Sequence, residues 1–119
     1  MTSEAYNYDD ITSGSDQIAT TSATIASGQV LPKFTPIGQV TATARFVKSD
    51  PAATDGSETP VYLTAQAVDA TGGDKKSQVF KAGTFDPSMV NWHASFTAVQ
   101  KQLAFVGTPI SLQEKAAEL

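Results

Sequence analysis

The chain has 119 residues, a one-domain length, with 12 acids, 8 bases and no cysteine. The missing cysteine excludes disulfides and thiolate metal sites, and scattered bases with a pI near 4.7 argue against a phosphate-binding footprint. Charged residues make up 17%, below the ~25% of an ordinary domain, and Thr, Ser and Ala stand where Lys and Glu would be, a surface suited to packing against copies of itself.

Residues 1–29 hold Glu4, Asp9, Asp10 and Asp16 and no base, so the whole net charge of −4 lies there. Single apolar residues (Tyr6, Tyr8, Ile11, Ile18, Ile25) are dropped into a run of Ser, Thr, Ala and Gly. Such a segment buries too little apolar surface to offset its ordering entropy, which predicts a disordered acidic arm over 1–27. Residues 1–30 lack the basic start and the apolar run of about 7–15 residues that mark a secretory signal. No stretch approaches the ~18 apolar residues of a membrane span, so the expectation is a soluble, non-membrane protein.

From Gly28 to Gly38, Pro32 and Pro36 forbid a helix and predict an extended lead-in whose Val30, Leu31, Phe34 and Ile37 begin the core. Val40 to Val47 alternates, with Val40, Ala42, Ala44 and Phe46 on one face, the period of a half-buried strand. Lys48 to Pro60, with two Pro, one Gly and three acids, reads as an exposed loop. A second alternating run places Val61, Leu63, Ala65 and Ala67 on one face. Ala70-Thr71-Gly72-Gly73-Asp74 then makes a hairpin turn, and Ser77 to Ala82 is the return strand.

Asp86-Pro87 is a helix start with Asp as N-cap, good for a single turn towards Trp92. A longer helix is predicted from Ser95 to about Phe105, with Phe96, Val99 and Leu103 as its buried stripe. Thr97 and Gln100 have the spacing of a capping box, a competing start. Gly107 ends this helix, Pro109 to Leu112 is a short closing strand, and residues 113–119 are a charged tail too short to hold a helix alone. The expected fold is mostly β (a β-rich α+β class): one small compact domain over 28–112, of short strands with one or two short helices, between the arm and the tail.

Constellations for chemistry are poor. His93 is the only histidine; no G-x-S-x-G elbow accompanies it and no second His or Cys could share a metal. Asp50, Asp55, Gly56 and Glu58 faintly suggest a calcium loop but miss its spacing, and a solvated acidic loop explains them. Gly72 to Ser77 lacks the spacing of a phosphate loop and carries an acid in its middle. Trp92, Phe96, Phe105 and Phe85 could line a pocket, yet large apolar residues in so small a domain are its core. The chain is read as no enzyme, with no catalytic residue, metal or cofactor.

The last third carries a resemblance. Phe80-Lys81-Ala82-Gly83-Thr84-Phe85, then Val90-Asn91-Trp92, then Ala104-Phe105-Val106-Gly107-Thr108-Pro109-Ile110-Ser111-Leu112, is similar to the head decoration proteins of lambda-like bacteriophages. Phe34-Thr35-Pro36-Ile37 matches their lead-in, and Tyr62-Leu63-Thr64-Ala65 falls where they have a buried strand. The likeness spans residues 28–112. It departs at His93, where the best-known member has proline, and at 113–119, which run past the usual end.

The resemblance implies a homotrimer at the three-fold and quasi-three-fold points of an expanded icosahedral head. There it would act as a cement against the pressure of packaged DNA. It would lie on the outer surface of the virion, be assembled in the host cytoplasm, and have the major capsid protein as partner, with no nucleic acid, membrane or small molecule. Its arm would be disordered in the free trimer and would order on the shell by adding to a capsid strand. In this chain the arm anchors would be Tyr6, Tyr8, Ile11, Ile18 and Ile25, and Phe34, Pro36 and Trp92 would lie near trimer contacts. The runner-up is a secreted or surface β-domain, an adhesin or fibre module, binding protein or carbohydrate; a small hydrolase using His93 comes third.

Overall fold

The strand Lys75–Phe85 (β7) organises the molecule, which the computed structural model describes over residues 18–113. Before it in the chain come β1 (Ala19–Ile25), β2 (Val30–Leu31), β3 (Pro36–Gln39), β4 (Phe46–Lys48), β5 (Tyr62–Thr64) and β6 (Val68–Asp69). After it come one 3₁₀ turn (Pro87–Met89), the helix α1 (Ala98–Leu103) and β8 (Ile110–Leu112). The main sheet runs β1-β4-β3-β5-β7-β8, and β1 also pairs with β7, so five strands close into a small barrel. β2 and β6 form a separate two-stranded ladder.

β7 is long enough to serve three partners. Its first part pairs antiparallel with β1, Phe80 and Val79 also meet Leu63 and Thr64 of β5, and Gly83 to Phe85 pair in parallel with β8. A bulge between Ala19 and Thr20 marks the end of the β1 pairing. The fold is strand-rich with minor helix, as the alternating runs indicated.

Two apolar clusters fill the protein. Ala23, Ile25, Leu31, Ile37, Phe46, Val68, Ala70 and Val79 pack inside the barrel, and Val61 and Tyr62 close over them. Leu63, Val90, Phe105 and Ile110 form a second cluster, flanked by Phe80, Phe85, Trp92, Ala104 and Leu112. The segment between Pro32 and Pro36 is bound tightly to the neighbouring strand. The buried Thr64 hydroxyl accepts from the Thr35 N–H at 2.9 Å and donates to the Pro32 carbonyl at 2.7 Å, and the Thr35 hydroxyl donates to the same carbonyl at 2.7 Å. Phe34 is held at φ 63° between them, its N–H on Thr64 O and its carbonyl receiving Asn91 N–H, both at 2.9 Å. Backbone strain of this kind persists only where surrounding bonds over-determine it.

Several expectations are corrected. The arm does not extend to residue 27: Ala19–Ile25 is a barrel strand, each of its seven residues facing a partner on β7. The run Val40 to Val47 is not one strand. β3 starts earlier, at Pro36, and the chain turns through 40–45, where Ala44 N–H donates to Val40 O at 2.8 Å with Ala44 at φ 61°. The loop 48–60 is present but not wholly exposed. Ser49 and Ser57 are buried, the Ser49 hydroxyl donates to Ser57 O at 2.7 Å, and a Cβ on Gly38 would lie 2.3 Å from that same carbonyl oxygen. Glycine at 38 is what lets the loop lie against β3.

The second alternating run stops at Thr64, and its strand pairs with β7 across a wider connection that includes β6 rather than a tight hairpin. The expected helix from Ser95 shrinks to six residues, because the capping box at Thr97 sets its start. Residues 1–17, with the expected anchors Tyr6, Tyr8 and Ile11, lie outside the described residues, as does the tail 114–119.

Candidate docking surface

α1 is short and buries none of its residues. Thr97 Oγ1 accepts from Gln100 N–H at 3.1 Å and Gln100 Oε1 accepts from Thr97 N–H at 2.8 Å, so two orphan donors of the helix start are satisfied reciprocally. That start leaves Phe96 outside the helix, where it is buried and packs on Trp92 with ring centroids 5.0 Å apart. The rest of the expected stripe turns outward: Val99 is 64% and Leu103 63% exposed, and Val106, three residues on, is 74% exposed. A shallow groove of about 290 Å³ runs beside this ridge, lined by Pro51, Thr59, Pro60, Phe96, Phe105 and Leu103. Ridge and groove form an apolar surface, and it exposes Val99 and Leu103, which were expected in a buried stripe. The signal that could have found it was the capping box.

A second exposed feature is the root of the arm. Ile18 is 56% exposed and sits over Gly83, where a Cβ would come within 3.0 Å of the Ile18 side chain and 3.1 Å of the Phe85 ring. Phe85 belongs to an aromatic group in which Phe80 lies 4.9 Å from it and Phe34 stacks on Phe80 at 5.8 Å. The Lys33 ammonium stands 4.9 Å from the Phe34 ring. The chain therefore enters the barrel over an aromatic surface.

The structure separates the expected site residues. Ile18 is available, whereas Ile25 is fully buried in the barrel and is corrected from anchor to core. Pro36 is likewise fully buried as the first residue of β3 and cannot touch another subunit, a second correction. Phe34 and Trp92 are half-buried, each with an accessible part.

The groups weighed for chemistry are occupied with local structure. His93 Nδ1 accepts from Ser95 N–H at 3.1 Å and Nε2 lies 3.5 Å from Asp50 Oδ2, so the imidazole is engaged at both nitrogens. Asp55 Oδ1 accepts from the Ser57 hydroxyl and N–H at 2.6 and 3.0 Å, and these bonds hold its carboxyl below the usual carboxylate range. Glu58 Oε1 accepts from Gly56 N–H at 2.8 Å and Asp50 Oδ1 from Ala52 N–H at 2.9 Å. These carboxylates brace their own loop. Among the described residues no group of three or more His, Cys, Asp or Glu could hold a metal ion, and no helix is long and apolar enough to cross a membrane.

Fold and surface together define a small β-barrel that exposes apolar side chains at Ile18, Val99, Leu103 and Val106. The chain belongs to the family of bacteriophage lambda head decoration protein D, whose family model matches residues 1–111. It is thus a structural protein of the bacteriophage head that decorates and binds the capsid. No match to a curated protein was found.

Proposed function

We propose that this protein is a cement for the expanded head, binding as a homotrimer at three-fold and quasi-three-fold points of the outer surface and resisting the outward pressure of packaged DNA. Its partner is the major capsid protein, which it meets through residues 1–18 after assembly in the host cytoplasm. The supporting observation is the position of Ile18, exposed beside the Phe85 ring just before the first residue of the closed barrel. Everything N-terminal to that point can serve a partner without opening the barrel.

Ordering ten backbone residues costs roughly 10–20 kcal/mol. New ladder hydrogen bonds return only about 0.5–1.5 kcal/mol each. Apolar anchors must supply the surplus, at about 1.5–3 kcal/mol for each well-buried side chain. With Ile25 committed to the core, Tyr6, Tyr8, Ile11 and Ile18 remain for that role. One arm binds weakly, but arms joined in a trimer bind as a unit, because the first to dock holds the others at high effective concentration. Subunits meet through the ridge of Val99, Leu103 and Val106 and through the accessible parts of Phe34 and Trp92.

Deletion of residues 1–17 tests the arm. Purified deleted and full-length proteins are mixed with expanded empty heads and counted on the shell by electron microscopy. Full-length protein should decorate the heads and the deleted protein should not; equal occupancy would overturn the arm model.

A further inference from the structure

β8 ends the main sheet and pairs only with β7 among the described strands, so its outer edge is open. Pro109 O accepts from Gly83 N–H at 3.2 Å and Gln113 N–H donates to Phe85 O at 2.9 Å, so the odd-numbered residues turn their backbone groups to β7. Backbone groups alternate in direction along a strand, and those of Ile110 and Leu112 therefore point outward. Thr108 Oγ1 accepts from Ile110 N–H at 3.2 Å. Leu112 N–H and the Ile110 and Leu112 carbonyls are left to meet a further strand. Two grooves give access to this edge. One, of about 270 Å³, follows the whole of β8, and the larger, of about 780 Å³, opens between the 3₁₀ turn and α1. Gln102 and Leu112 line both, which joins them into one trough. Val90, Trp92 and Leu112 make an apolar wall, and Ala98, Lys101 and Gln102, at i, i+3 and i+4 of α1, make the helix wall.

We propose that an extended segment of the major capsid protein lies in this trough as a strand added to β8, with an apolar side chain against Val90 and Trp92 and a carboxylate at Lys101. The open edge selects the shape of the occupant, because a donor and two acceptors in strand register are met by another extended backbone. The walls select its side chains. Alternate residues of an added strand face the same way, so one apolar residue reaches the Trp92 side. Lys101 is exposed in the trough and has no ion-pair partner among the described residues, which favours an acid beside it. Val99 and Leu103 line neither groove, so a strand here leaves them free for the proposed subunit contact. The owner of the strand rests on the proposed function; the strand site itself rests on the edge and its walls.

The strand site is tested on the free, full-length protein by NMR, with the peptide acetyl-Thr-Val-Thr-Val-Glu-amide as probe at up to millimolar concentration. Leu112 N–H should exchange freely with solvent, and the peptide should slow that exchange and shift the indole signal of Trp92, the only tryptophan. Leu112→Pro deletes the outward donor without touching the β7 ladder and should abolish peptide binding, whereas Leu112→Ala should keep most of it. Lys101→Glu should weaken binding several-fold. A Leu112 N–H already protected in the free protein, or signals unmoved by the peptide, would overturn the proposal. Equal binding of the peptide methylated at all its amide nitrogens would also overturn it, since the trough would then be an apolar pocket and not a strand site. A lower mass of Leu112→Pro by light scattering would do the same by giving the edge to a second copy. If Leu112→Pro does not fold, the exchange rate, the methylated peptide and Lys101→Glu decide. Electron microscopy of expanded empty heads decorated with the parent protein should then show a capsid strand beside β8, and a bare edge on decorated heads would overturn the assignment. Undecorated heads would instead overturn the capsid reading, and with it only the owner of the strand.

Discussion

Asp74 joins three segments that are far apart in the chain. Its carboxylate accepts from Ser27 N–H at 2.8 Å and pairs with Arg45 Nε at 2.7 Å, tying the end of β1 and the β3–β4 turn to the start of β7. The Arg45 hydrogen bond, followed by the Ser27 bond, holds the Asp74 carboxyl below the ordinary carboxylate value. Asp69 is lowered in the same direction by Thr71, whose hydroxyl and N–H both donate to it. A carboxyl whose folded pKa is depressed takes up its proton more readily in the unfolded chain. Its contribution is complete above the unfolded pKa and is lost as pH falls through the folded one. Asp74→Asn should therefore melt below the parent protein at pH 7, and the gap should close as the pH drops below the usual carboxylate range. Thermal melts across that window check it; a gap that stays constant with pH would assign the effect to shape rather than charge. Because the group is exposed, the effect should be small.

At the scale of elements, α1 is a helix whose sequence face and structural face disagree. Val99 and Leu103 are spaced to share a side, yet the capping box begins the helix after Phe96, so the one buried member of the stripe lies outside it. Leu103→Glu should leave the barrel intact, because exposed substitutions away from special features change stability by only about 0.5 kcal/mol. The same change should drive the proposed trimer towards monomer by light scattering; unchanged mass would remove the ridge from the interface. Legibility followed local pattern. β7 and β8 were readable from alternation and from the Gly107 stop, and the 3₁₀ turn from Asp86-Pro87, whose carboxylate accepts from Ser88 N–H at 2.9 Å. β1 was not, because Thr20, Thr21, Ser22 and Thr24 look like solvated leader until β7 is beside them. Val40 to Val47 misled for the opposite reason: alternation fits a strand and a turn with Ala44 at positive φ equally well. The anchors followed the same division, since nothing local distinguishes the exposed Ile18 from the buried Ile25.

Over the whole molecule, the proposed arm would separate attachment from stability along the chain, and a truncation series should expose the boundary. Removing residues 1–17 leaves every described strand of the barrel in place, so the melting temperature should match that of the full chain. Removing 1–25 takes away β1, which closes the barrel against β7, together with Ala23 and the fully buried Ile25. Loss of a core side chain the size of Ile25 costs about 2–5 kcal/mol by itself, and loss of the β7 pairing comes on top of it. A domain has only about 5–15 kcal/mol in reserve. Cooperative melting should therefore stay on a plateau until the deletion enters β1 and then vanish within a few residues, whereas head binding is lost earlier. A smooth decline from the first residue would mean that the leader contributes to the fold along its whole length, and the division of labour at Ile18 would have to be abandoned.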